Sequence, residues 1–178
     1  MADINRFIKE FQKYKSTFKL TSLDDSNNIY LCTNETQEVI DFDSIIEDKF
    51  PDSNIRPKSF DAIYIYKNLI FCIEFKNQKP SDIDNLEVQG KLVDGKEELL
   101  KLLQKYNIQK DNYSFIYCVV YKVCKEPINR YKCGIDKNKI LFGLDIYKKK
   151  GFVEDIYTQN VNFFTKEFKK QLEKELMC

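Results

Sequence analysis

Three ionisable side chains lie close together in an apolar stretch of the chain. Asp61 begins the run DAIYIY, and Glu74 and Lys76 end the run LIFCIEFK. Two neighbouring carboxylates are hard oxygen ligands for a divalent cation, and an ammonium beside them can position or deprotonate a water molecule. This chemistry requires that the two runs meet in space.

The two runs predict a β-hairpin. Aromatic and β-branched residues dominate both of them, and the polar break at 67–68 has the length of a two-residue turn, where the asparagine tolerates left-handed backbone. Pairing across this turn places Asp61 directly opposite Glu74, about 5 Å apart at Cβ. Lys76 joins the same face because side chains along a strand alternate with a period of two.

Both faces of this hairpin are otherwise apolar, which predicts a central position in a sheet that is covered on both sides. Like charges directly opposite one another repel, so Asp61 and Glu74 need a compensating charge. We expect that charge to be a divalent cation. The alternative is an ordinary ion pair, in which Lys76 neutralises one of the two carboxylates.

The composition predicts one domain spanning residues 1–178. With 43% hydrophobic and 14% aromatic residues, a chain of this length can bury one core. It has no run of 18 apolar residues and no apolar run at its N-terminus, so we expect no membrane span, no secretory signal and a cytoplasmic or other intracellular location. The net charge of +1 provides no overall attraction to nucleic acid.

The absence of histidine excludes several kinds of chemistry. A chain with 0 His has no Ser-His-Asp or Cys-His couple and no histidine-ligated zinc. Six cysteines are scattered without a C-x-x-C pair, so we expect buried free thiols rather than a zinc site at Cys118, Cys124 and Cys133. A small-molecule enzyme with Tyr or Lys acid-base chemistry has no supporting glycine-rich loop or cofactor motif.

The rest of the chain predicts an α/β fold with a mixed central sheet flanked by helices. A long helix after the hairpin acts as a crossover, which allows the strands on either side of it to be parallel neighbours. The stretch 35–50 combines helical and strand periodicity and remains ambiguous. The other predicted elements are a helix over 3–15, short strands near 16 and at 29–33, the long helix from a cap at Ser81 or Asp82 to Tyr106, strands at 113–122 and 140–147, and a terminal helix over 158–177.

The stretch FDAIYIYKNLIFCIEFKN, in which Asp61 precedes Glu74-Phe75-Lys76 by a gap of twelve residues, resembles the PD-(D/E)xK nuclease superfamily. Locally it also resembles small nucleases of the Holliday-junction-resolvase type. The resemblance is close over 59–77 and loose in element order to about residue 122. It implies a restriction-endonuclease-like core (αβββαβ), here with an added C-terminal strand and helix.

The resemblance also implies a role for each matching residue. Asp61 and Glu74, with the backbone carbonyl of Phe75, would hold one or two Mg²⁺ (or Mn²⁺) ions, and Lys76 would orient or deprotonate the attacking water. The substrate would be the phosphodiester backbone of nucleic acid, DNA or RNA, and a homodimer is an expectation by analogy. Phe60 stands where the family name has a proline.

Further site residues follow from the same resemblance. An upstream acidic ligand could be Glu10, with Asp43 and Glu47 as competing candidates. On the long helix, Gln89 and Lys91 could contact a substrate phosphate or simply cap the edge of the core.

A second class of function remains open. The chain could be a catalytically silent nuclease-like fold that binds protein or nucleic acid, which the near-neutral charge favours, whereas the complete set of Asp61, Glu74 and Lys76 favours an enzyme. The Glu-x-Lys pattern alone is weak evidence, because it recurs at 47–49 and 167–169. The apolar hairpin around Glu74 distinguishes it from those repeats.

Overall fold

A six-stranded mixed β-sheet forms the centre of the molecule, so the α/β class with flanking helices is confirmed. The computed structural model describes residues 2–123, 139–162 and 178. The strands are β1 (Lys15–Thr17), β2 (Leu23–Asp24), β3 (Ile29–Tyr30), β4 (Glu38–Asp41), β5 (Ala62–Tyr66), β6 (Leu69–Lys76), β7 (Ser114–Tyr121) and β8 (Asp155–Asn160). The helices are α1 (Ala2–Glu10), α2 (Phe18–Thr21), α3 (Phe42–Lys49), α4 (Asn85–Lys105) and α5 (Asp145–Lys149).

The strand order in the sheet is β1-β4-β5-β6-β7-β8, while β2 and β3 form a separate two-stranded sheet. Strands β6, β7 and β8 are parallel, and the other neighbours in the large sheet are antiparallel. The hairpin of β5 and β6 therefore lies in the middle of the sheet, as its two apolar faces predict.

The register of the hairpin is the one that the sequence predicts. Tyr66 pairs with Leu69, and the pairing continues without a bulge to Ala62 and Ile73. The left-handed residue of the turn is Lys67, with φ of 55°, rather than the asparagine after it. The two-residue length of the turn thus decides the register, even though a lysine and not the asparagine adopts the left-handed backbone.

Helix α4 is the predicted crossover between the parallel strands β6 and β7. It begins later than expected, because residues 80–82 form a 3₁₀ turn and the cap is Asp84, whose side chain accepts a hydrogen bond from the backbone N–H of Leu86. Gly95 lets the helix approach Phe60 closely, since a Cβ at this position would lie 2.7 Å from that ring. The ambiguous stretch 35–50 contains both structures, β4 followed by α3.

The predicted strand at 140–147 is wrong. Phe142 and Gly143 both have left-handed backbone, with φ of 60° and 66°, and α5 follows directly. The apolar side chains of Phe142 and Leu144 enter the core from this turn, which explains the apolar run without a strand. The last described strand is β8, which overlaps the start of the predicted terminal helix, and residues 163–177 of that helix lie outside the described residues.

The sheet carries a hydrophobic core on each face. Glu74, Cys72 and Ile70 point toward the core that contains α1, α3 and α4, and the alternate residues of β6 point toward the other core. The described part of the chain has no helix that combines the length and the apolar character needed to cross a membrane.

The cysteines only partly follow the prediction. Cys72 and Cys118 are buried free thiols, as expected. Cys32 is instead joined to Cys178 by a disulfide across 146 positions of sequence. This proximity is created by the fold, so the spacing of the cysteines could not indicate it. Cys124 and Cys133 lie outside the described residues.

Candidate active site

Asp61 lies one residue before β5 and is held by backbone groups on two sides. Its carbonyl oxygen accepts a hydrogen bond of 3.0 Å from the N–H of Phe42, at the start of α3. Its Oδ2 accepts a hydrogen bond of 2.5 Å from the N–H of Phe75 on β6. The carboxylate is thereby fixed next to the strand that carries Glu74 and Lys76.

Glu74 is the most deeply buried of the candidate residues, with 0% of its surface exposed. Its Oε1 lies 2.8 Å from the Nζ of Lys91 and 3.1 Å from the Nζ of Lys76, which are ion-pair distances. Both contacts involve Oε1, and within the described residues Oε2 has no donor. A buried carboxylate oxygen without a donor is costly, because it has lost its water and gained nothing in exchange.

Lys76 is held between two carboxylates. Its Nζ lies 2.6 Å from Oε1 of Glu87, in the first turn of α4, as well as 3.1 Å from Glu74. Burial lowers the pKa of Lys76, but the charge of Glu74 and the hydrogen bond to Glu87 outweigh burial, so the pKa is raised overall. Lys76 is therefore an ammonium in this structure, able to donate hydrogen bonds but not to accept a proton.

Lys91 connects the two carboxylates. Its Nζ lies 3.4 Å from Oδ1 of Asp61 and 2.8 Å from Oε1 of Glu74. Burial lowers the pKa of Lys91, but the negative charges of Glu74 and Asp61 raise it by more. The sequence suggested Lys91 as a phosphate contact and did not indicate this ion pair. The sequence does contain one signal for it. Lys91 follows Glu87 by four residues, so the two lie on the same side of α4, and Glu87 contacts Lys76 of the site.

Asp43 is the upstream acidic candidate whose charge acts on the pair. The hydroxyl of Ser59 donates a hydrogen bond to its Oδ1. Its negative charge also raises the pKa of Asp61 and of Lys91. The cause is local, since α3 begins where Phe42 is hydrogen-bonded to the backbone of Asp61.

The other two upstream candidates lie elsewhere. Glu10 is exposed on α1, which packs through Phe7 and Phe11 against Tyr106 at the C-terminal end of α4. Glu47 is exposed and forms a 2.5 Å ion pair with Arg56. Within the described residues neither carboxylate contacts Asp61 or Glu74.

Gln89 has a hydrogen-bond partner outside the acidic pair. Its Nε2 donates a hydrogen bond of 2.7 Å to the carbonyl oxygen of Phe142. This contact attaches α4 to the left-handed turn that precedes α5. A structural role in holding that turn accounts for the polar residue on this side of the helix.

Burial and mutual repulsion dominate the electrostatics of the pair. The pKa of Asp61 is raised well above its usual value, first by burial and then by the charge of Glu74. The pKa of Glu74 is raised by burial, although Lys91 and Lys76 oppose the shift. The two carboxylates therefore remain under-stabilised as anions, even with two ammonium groups beside them.

The residues can accommodate a hard divalent cation, although the described part of the chain contains no group of three or more acidic or cysteine side chains arranged to hold one. Mg²⁺ usually takes one or two protein carboxylates and completes its shell with water and substrate phosphate. Asp61 and Glu74 supply two carboxylates, and Phe75 lies between Glu74 and Lys76 with a backbone carbonyl. Oε2 of Glu74, to which no described residue donates, is an oxygen that could take part in such a shell.

Comparisons of the chain with protein-family models, with curated proteins and with solved structures find no match in any of the three.

Proposed function

We propose that this protein is a metal-dependent nuclease that hydrolyses phosphodiester bonds of nucleic acid. The observation that carries the proposal is Glu74, a fully buried carboxylate whose Oε2 has no donor among the described residues and which lies beside Asp61 and Lys76. A buried carboxylate oxygen that lacks a donor is a favourable ligand for a cation.

The element order supports the proposal. Helix α1, strands β4, β5 and β6, helix α4 and strand β7 follow one another in the order αβββαβ of restriction-endonuclease-like cores. The chain adds β1 to β3 with α2 before β4, and α3 between β4 and β5. Among the described residues, the C-terminal addition is α5 and β8 rather than the expected strand at 140–147.

Each residue has a role that its position permits. Asp61 and Glu74 would hold the cation through their carboxylate oxygens, and the carbonyl of Phe75 would be a third ligand atom. A bound Mg²⁺ or Mn²⁺ stabilises negative charge on the phosphoryl oxygens and lowers the pKa of water. Lys76, held by Glu87, donates a hydrogen bond that orients the attacking water toward phosphorus.

The test is cleavage of labelled single- and double-stranded DNA and RNA with Mg²⁺ or Mn²⁺. Both nucleic acids are included because the site would act on the phosphodiester group that they share. We expect the wild type to cleave and Glu74→Ala to fall by a factor of about 10² to 10³, the scale for removing one preorganised charge-stabilising group. Glu47→Gln is the matched control, since Glu47 is the glutamate of another Glu-x-Lys and is exposed. Equal activity in wild type and Glu74→Ala would overturn the assignment.

A second candidate is a silent binding module with the same fold. The observation that favours it is the double ion pair of Glu74, because Lys91 and Lys76 already compensate its charge without a metal. Titration of the wild type with Mn²⁺ separates the two functions. Binding that requires Asp61 and Glu74 supports the enzyme, and absence of binding supports the module.

A further inference from the structure

The ammonium of Lys91 lies in the space that a cation shared by Asp61 and Glu74 would need. It is 3.4 Å from Oδ1 of Asp61 and 2.8 Å from Oε1 of Glu74. We propose that Lys91 is a built-in counter-ion of the acidic pair, which a divalent cation must displace before it can bind. This inference rests on the proposed function and concerns the regulation of the same site.

The two lysines of the site differ in their anchoring. Lys76 has a partner outside the pair, Glu87, at 2.6 Å. Among the described residues, the ion pairs of Lys91 are both with the pair itself, Asp61 and Glu74. A metal ion bound to Asp61 and Glu74 would leave the ion pair of Lys76 with Glu87 intact. It would replace Lys91 in both of its ion pairs.

The metal ion and the ammonium of Lys91 would approach the same carboxylate oxygen at contact distance. An Mg²⁺ ion binds its oxygen ligands at about 2.0–2.1 Å. An ammonium 2.8 Å from Oε1 of Glu74 occupies the approach to that oxygen, and two cations this close repel strongly beside a carboxylate that is fully buried. A metal ion shared by both carboxylates therefore competes with the ammonium of Lys91, which bridges the same two groups.

Lys91 has the means to move. Its side chain is 18% exposed, and a lysine has a flexible stem of four carbons that can swing toward solvent. The carboxylate of Asp43 is near enough for its charge to act on Lys91. It is the carboxylate toward which the displaced ammonium would turn while Asp61 and Glu74 hold the cation.

The test is calorimetric titration of the full chain with Mn²⁺ at about pH 8, where protons compete least for the carboxylates. The variants are Lys91→Met, which keeps the length of the stem without the charge, and Lys101→Met as the control. Lys101 lies on the same helix and pairs with Glu97 and Glu98. We expect Lys91→Met to bind Mn²⁺ about tenfold tighter than the wild type or more, and Lys101→Met to bind like the wild type.

Thermal unfolding gives a second readout. Without metal, Lys91→Met should melt at a lower temperature than the wild type, because Asp61 and Glu74 lose a counter-ion. Saturating Mn²⁺ should raise the melting temperature of Lys91→Met by more than it raises that of the wild type.

The outcomes separate this inference from the proposed function. Equal or weaker Mn²⁺ binding by Lys91→Met, with binding by the wild type intact, overturns the displacement and leaves the metal-dependent nuclease standing. No binding by either protein overturns both.

Discussion

The backbone N–H of Phe75 donates a 2.5 Å hydrogen bond to Oδ2 of Asp61. This bond crosses from β6 to the residue before β5, just beyond the last backbone pair of the hairpin, Ala62 and Ile73. A side chain thus continues the ladder after the backbone pairing ends. It keeps one carboxylate oxygen occupied and directs the other toward Lys91, so the geometry of the pair is set by the strands themselves.

The buried state of Asp61 predicts a specific pH dependence. Its pKa in the folded protein is raised, first by burial and then by Glu74. The folded protein therefore keeps a proton on Asp61 at pH values where the unfolded chain has lost it. The contribution of this group to stability is complete below the unfolded pKa of about 4, and it is lost as the pH rises through the folded pKa. Asn at this position has no proton to lose. Asp61→Asn should gain stability relative to the wild type as the pH rises, by up to about 1.4 kcal/mol per pH unit.

Urea denaturation in the presence of a chelator, at several values between about pH 4 and pH 8, measures this difference. Asp111→Asn is the control, because Asp111 is exposed and lies far along the chain from the pair. A stability difference between Asp61→Asn and the wild type that stays constant over this range would show that Asp61 titrates as an ordinary surface carboxylate.

Lys76 should affect the reaction rate more than metal binding. Lys76→Met removes the donor that orients water, so we expect the cleavage rate at saturating Mn²⁺ to fall by about 10² to 10⁴. The dissociation constant for Mn²⁺ should stay the same or decrease, because one positive charge has left Glu74. Single-turnover rates and calorimetry on the same protein separate the two effects. A large loss of Mn²⁺ affinity with an unchanged rate would contradict the role given to Lys76.

Two glycines of α4 provide a matched test of the packing around the site. A Cβ at Gly95 would lie 2.7 Å from the ring of Phe60, the neighbour of Asp61, whereas a Cβ at Gly90 would meet the flexible end of Lys58 at 2.9 Å. Gly95→Ala should lower the free energy of unfolding by about 1–3 kcal/mol through overpacking, offset in part by the helix propensity of alanine.

Gly90→Ala should be neutral or raise the free energy of unfolding by up to about 1 kcal/mol, since Lys58 can move and alanine favours the helix. Chemical denaturation of both variants decides the matter. Equal effects at the two positions would mean that α4 does not approach Phe60 as closely as the structure shows.

The parts of the site that lie within one hairpin could be predicted from the sequence. The turn length at 67–68 and the period-two alternation are local properties, so the register and the shared face of Glu74 and Lys76 followed from short-range rules. The central place of the hairpin followed from its two apolar faces.

Contacts between segments that are distant in sequence could not be predicted in the same way. Lys91 meets Glu74 only because α4 packs back over β6, and Asp43 approaches Asp61 because α3 begins beside it. The apolar run at 140–147 predicts a strand, because apolar residues that enter a core from a turn have the same sequence pattern as a buried strand. The pairing of Cys32 with Cys178 depends on the whole fold.

The central claim is that Asp61 and Glu74 hold a divalent cation. Its most direct test is a Mn²⁺ titration of the wild type and Glu74→Gln, followed by electron paramagnetic resonance of the free ion. The account predicts saturable binding by the wild type and an affinity lower by about a hundredfold in Glu74→Gln, which keeps the shape of the side chain but loses its charge. Equal binding of Mn²⁺ by the two proteins would contradict it.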